Sequence, residues 1–163
     1  MSLRLTFRTK DSETLVLGGL DDFLGALLLE VPEQGTPSSE SEHRLFPDPT
    51  GGREEQADAD WRDLVRPELE EQFALNRDAV REDLQQMRKV PSGTLEVEIP
   101  RSHLPQWIHA LNQARLAIDA IHDFGDRNAD DEVELPGEEG LALFRLQFYG
   151  LLQEWMISRV DTL

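Results

Sequence analysis

No cysteine occurs in the 163 residues. That excludes a disulfide framework, a thiolate zinc site and a cysteine nucleophile. Bases are scarce: 16 Lys and Arg stand against 33 Asp and Glu, for a net charge of −17. Such a surface repels nucleic-acid backbones and anionic membranes, so neither is expected as a partner. Long apolar runs are missing too, and none approaches the ~20 residues needed to cross a bilayer. The first eight residues, MSLRLTFR, alternate apolar and polar side chains instead of forming the apolar core of a secretory leader. A cytoplasmic protein is the expectation. There is also no G-x-S-x-G elbow, no phosphate-binding glycine loop and no dinucleotide fingerprint.

What is present is enough chain for one domain, residues 1–163, with a real core. The acidity is concentrated. Residues 32–60 hold eight acids against two bases, and residues 126–139 hold seven against one. The first stretch is also rich in Pro, Gly and Ser. Its composition predicts an acidic, partly mobile loop over 32–60, anchored by Leu45 and Phe46. A second acidic loop is expected over 126–137.

Period-2 alternation predicts strands over 2–9, 13–17 and 94–99, and helical periodicity supplies the rest. Leu20, Phe23, Leu24, Leu27 and Leu28 mark a short helix that Pro32 ends. Leu69, Phe73, Val80, Leu84 and Met87 mark a long one, with a break at Pro67. A second long helix starts from Ser102 as its cap, with Pro105 in its first turn, and stops near Phe124-Gly125. The third carries Leu141, Phe144, Phe148, Leu151, Leu152, Trp155 and Met156, a wide apolar face that places it centrally. The expected fold is mainly α: three long helices and one short one in a bundle, with a small two- or three-stranded antiparallel sheet. Arg4 and Arg8 are expected to face Glu96 and Glu98 across that sheet.

The strongest candidate site is a polar stripe on the second long helix. Asn112, Arg115, Asp119 and His122 are three, four and three residues apart, so they share one side of it. They border the apolar residues Leu104, Trp107, Ile108, Leu111, Ile118 and Ile121. One reading makes Arg115 an amphipathic lock that reaches carboxylates on neighbouring helices, Asp83 or Glu70. The other makes it the centre of a small anion or carboxylate pocket, because a guanidinium suits bidentate recognition.

Other constellations are incomplete, and no metal, cofactor or catalytic residue is expected. Asp119-Ala120-Ile121-His122 has the spacing of a helical di-metal motif but lacks its second copy. Residues 126–130 imitate the start of an EF-hand, yet the required glycine is Asp131 and the required glutamate is Gly137. Trp61, Trp107, Tyr149 and Trp155 are either core residues or anchors of a partner surface.

The stretch Trp107-Ile108-His109-Ala110-Leu111-Asn112-Gln113-Ala114-Arg115-Leu116-Ala117-Ile118 resembles the Leu-Asn-x-x-Arg-Leu helix of an uncharacterised bacterial family. The acidic linker, Trp61-Arg62-Asp63-Leu64-Val65-Arg66-Pro67 and Tyr149-Gly150-Leu151-Leu152-Gln153-Glu154 fit the same pattern. That family is a domain of unknown function whose genes often neighbour the Clp protease adaptor gene. The resemblance implies no catalytic residue and a link to regulated proteolysis. The combined expectation is a non-enzymatic binding or regulatory protein whose helical surface takes a protein partner or a second copy. The alternative is a small-molecule sensor or enzyme built on Arg115, Asp119 and His122.

Overall fold

The computed structural model describes residues 4–124 and 137–160. The expected acidic loop over 126–137, with its EF-hand-like start, lies almost wholly outside those residues.

Among the described residues the fold contains seven α-helices and one four-stranded antiparallel sheet. It is a mixed α/β arrangement, which corrects the expectation of a mainly α bundle with a small appended sheet. β1 (Thr6–Asp11) and β2 (Thr14–Leu20) form a hairpin, whose turn is held by Glu13 N–H donating to Asp11 Oδ1 at 2.8 Å. β4 (Leu95–Pro100) pairs with the other side of β2, and β3 (Arg88–Lys89) closes the order β1-β2-β4-β3. β3 is only two residues long and carries no alternation. Its backbone groups find partners because a turn brings them to the open edge of β4.

The register places Leu15 opposite Ile99 and Leu17 opposite Val97, and all four are buried on the helix-facing side. The opposite face is a ladder of charge. Arg8 meets Glu96 at 3.3 Å, Lys10 meets Glu98 at 2.6 Å, and Arg88 reaches Glu98 at 3.6 Å. These pairs cross over β2 instead of joining adjacent strands, because β2 presents Val16 and Gly18 there in place of long side chains. The expected pairing of Arg8 is therefore found one strand further apart. The hydrogen bond from Lys10 holds the Glu98 carboxyl below the ordinary carboxylate value, against a smaller opposing effect of burial.

Helix α1 (Asp22–Leu29) is capped by Asp21, whose Oδ1 accepts the Leu24 N–H at 2.7 Å. Pro32 does not simply end it. The chain bends at Glu30 and restarts as α2 (Val31–Gln34), with the proline in the first turn, where its missing N–H costs nothing. Residues 32–60, expected as a loop, also contain α3 (Glu42–Leu45) and the start of α4 (Glu55–Leu64). Composition misleads here because each short helix needs only one anchored side. Leu45 and Phe46 pack with Ala117, Phe73 stacks on Phe46 at 5.0 Å, and Arg66 lies over the same ring at 5.0 Å. Buried Asp58 ties the preceding turn to α4, accepting the Thr50 N–H, the Thr50 hydroxyl and the Gly52 N–H, each at 2.9 Å. Burial by itself would raise that carboxyl's pKa. The hydrogen bonds from Thr50 and Gly52, helped by Arg62, outweigh it and hold the group below its usual value.

α5 (Arg66–Leu84) begins one residue after α4 ends, so the break expected at Pro67 falls at Val65. A 3-10 turn, Arg101–His103, precedes α6 (Leu104–His122), which makes His103 the cap residue in place of Ser102. α7 (Gly137–Val160) lies along α6. The central helix is α6, not α7: it packs on α7, α5, α2 and α3. The reason is its run of small residues, Ala110, Ala114 and Ala117, all buried, which lets several helices approach closely. No helix among the described residues is long and apolar enough to cross a membrane.

Candidate functional site

The stripe on α6 shares one side of the helix but reaches four different surroundings. Asn112 is exposed. Arg115 turns towards α7, where its Nη1 donates to Gln153 Oε1 at 2.6 Å. The guanidinium lies across Gly150, so closely that a Cβ there would sit 3.4 Å from Arg115 Cζ. Asp119 faces the other way and pairs with Arg44 of α3 at 3.4 Å. His122 stacks on Phe124 with ring centres 5.5 Å apart. Helical spacing is thus necessary for a shared site but does not create one, because long side chains diverge from a common face.

The carboxylates named as partners of Arg115 are engaged elsewhere. Glu70 pairs with Arg66 at 2.7 Å. Asp83 is buried between α5 and α6 and accepts Trp107 Nε1–H on Oδ2 at 2.8 Å, while His103 Nδ1 lies 2.9 Å from the same oxygen. His103 and Trp107 are four residues apart, so one carboxylate on α5 meets both. Arg115 has a neutral partner instead, and its buried Nε has no acceptor among the described residues.

A second buried arginine was not evident from the stripe. Arg77 of α5 is 9% exposed and donates from Nη1 to Gln113 Oε1 at 3.1 Å. Burial lowers its pKa, and repulsion from Arg81 adds to the effect. The signal was present in the sequence: Arg77 stands between Phe73 and Val80 in the apolar stripe of α5, where a core side chain belongs.

The large aromatics divide by role. Trp107 and Tyr149 are wholly buried, which removes them as anchors of a partner surface. The Tyr149 hydroxyl donates to the Leu27 carbonyl, and burial pushes its pKa well above the ordinary phenol value, so it is no proton donor at neutral pH. Trp61 and Trp155 are half-buried, and Trp155 stacks on Phe7 at 6.4 Å. No group of three or more His, Cys, Asp or Glu that could hold a metal occurs among the described residues. A groove of about 590 Å³ lies at the opposite end of α6, walled by Thr14, Pro100, Arg101, Leu104 and Val160, and takes no residue of the stripe.

No curated protein and no solved structure matches the chain. The helices that carry the core also carry the family pattern, from Trp107 to Ile118 on α6 and from Tyr149 to Glu154 on α7. The family described as a domain of unknown function (DUF2017) matches residues 5–163, nearly the whole sequence, and the chain belongs to it.

Proposed function

We propose that this chain is a non-enzymatic binding protein that presents a helical surface to a protein partner, in regulated proteolysis. The observation that carries this reading is the junction of α4 and α5. Leu64 is 76% exposed there and Val65 follows it at 42%, two adjacent apolar side chains at a bend. The other large apolar side chains left exposed, such as Phe23, Leu75, Ile121 and Ile157, also lie on helices. The outer sheet face, by contrast, is laced with ion pairs. Burying Leu64 on a partner is worth about 1.5–2 kcal/mol.

The family resemblance makes the Clp adaptor the first partner to try. Fluorescence anisotropy with labelled adaptor is expected to give saturable binding, weakened at least about tenfold by Leu64→Asp. The thermal midpoint of that variant should stay near the parent value, because the side chain already faces water. Dimerisation of the parent that Leu64→Asp abolishes would support the same surface with a second copy as partner. Absence of adaptor binding and of self-association at about 100 μM, or indifference of both to the substitution, overturns the reading.

A second reading rests on Arg115, whose Nε lacks an acceptor and whose partner is neutral. With Asp119 and His122 it would form a small carboxylate or anion sensor. Thermal shifts with acetate or phosphate that disappear in Arg115→Met favour it. Shifts that persist in that variant, or are absent from the parent, exclude it.

A further inference from the structure

Arg77 and Gln113 are a mismatched pair in the junction of α2, α5 and α6. A guanidinium is always charged at neutral pH, and burying it is costly unless a carboxylate or several acceptors replace its water. Arg77 is 9% exposed, yet no carboxylate among the described residues forms an ion pair with it. Its one hydrogen-bond partner there is the neutral amide oxygen of Gln113, at 3.1 Å. Gln113 is 2% exposed, and its Nε2 has no partner at all. The amide cannot be flipped to cure this, because Nε2 would then face the donor on Arg77.

Two donor groups therefore converge without an acceptor. Their separation is bounded by the amide itself, since Nε2 and the oxygen that Arg77 holds belong to the same planar group. α2 packs on both α5 and α6 and covers the pair. Its cap residue Gly35 approaches so closely that a Cβ would sit 3.2 Å from Gln113 Cβ and 3.3 Å from the Ala114 nitrogen. Asn76, next to Arg77 on α5, is buried as well.

We propose that Arg77 and Gln113 form a binding site for a small oxyanion, a carboxylate or phosphate group held by the guanidinium and by Gln113 Nε2–H. Such a ligand supplies the negative charge and the acceptors that the protein omits. A planar guanidinium beside an amide N–H matches oxygen acceptors in the plane of a carboxylate, or two oxygens of a phosphate. The close cover by α2 limits the ligand to a small ion or a terminal group. This site is separate from Leu64, and Arg115 belongs to the other side of α6, against α7.

The test is a thermal-shift titration of the full chain with acetate, phosphate and chloride at matched ionic strength. The parent is expected to gain about 5 °C or more with acetate or phosphate at a hundredfold excess over Kd. Arg77→Met and Gln113→Leu should lose that gain, and Arg115→Met should keep it. Because either core variant could fold poorly, the parent is also followed by 15N NMR of its arginine Nε–H groups, assigned with Arg77→Lys. The Arg77 signal should move saturably with the oxyanion. No oxyanion-specific stabilisation, an equal response to chloride, or a static Arg77 signal overturns the proposal. A gain lost only in Arg115→Met assigns the ion to Arg115 and overturns it too.

Discussion

Trp107→Ala is expected to cost about 3–5 kcal/mol of folding stability, the range for removing a fully buried large aromatic. Trp107 is 0% exposed within the main core, so truncation leaves a cavity that fixed helices on several sides cannot close. A second loss is electrostatic. Asp83 is 5% exposed and accepts the indole N–H at 2.8 Å, so the alanine variant leaves its carboxylate with His103 as its one side-chain partner. Trp107→Phe separates the two contributions, since it keeps most of the apolar volume and deletes the donor. Its loss should fall to about 1–3 kcal/mol. Urea denaturation of both variants gives these values. An alanine variant within about 1 kcal/mol of the parent would show that α5 and α6 do not depend on this contact.

Gly19→Ala is the other large effect, and its cause is the backbone. Gly19 sits where the β2–β4 register slips, at φ +71°, a conformation that side chains with a Cβ rarely adopt. Strain of that kind costs about 1 kcal/mol. The larger penalty is steric: a Cβ there would lie 1.8 Å from the Arg4 carbonyl oxygen and 2.7 Å from its carbon. No rotamer change relieves a clash with backbone, so the chain before β1 must leave β2. A loss of about 3 kcal/mol or more follows, read as a lowered urea midpoint. Gly93→Ala is the internal control. Gly93 has φ +90° but nothing within 4 Å of the added carbon, so only the strain remains. Equal losses at the two positions would mean that conformation, not the Arg4 contact, governs Gly19.

Much of the helix content is legible locally. The stripe of Phe73, Val80 and Leu84 predicts α5, and the apolar face from Leu141 to Met156 predicts α7, because a 3.6-residue period is written in the side chains themselves. Leu45 and Phe46 were recognisable as anchors for the same reason: they are the isolated large apolar pair in a polar stretch. Composition failed between 32 and 60. Pro, Gly and acid there describe short helices with one anchored side as well as they describe a loop. β3 was invisible, since Arg88-Lys89 pairs only because β4 offers an unfilled edge. The candidate site was legible as residue types and not as partners. Arg115 was singled out correctly as buried polar chemistry, but its contact is Gln153, a residue 38 positions away with no charge to advertise it.

The sequence by itself determined the excess of acid, the exclusion of cysteine chemistry, the main helices and the family. Each of these depends on residue identity or on spacing within a dozen positions, so each survives without knowledge of the fold. Only the tertiary structure decided which polar groups meet. It gave Asp83 to Trp107 and His103, turned Asp119 towards Arg44, and left Arg77 with Gln113 alone. The physical reason is reach: a long side chain on one helix selects its partner from whichever helix packs beside it, and that choice is made by the core.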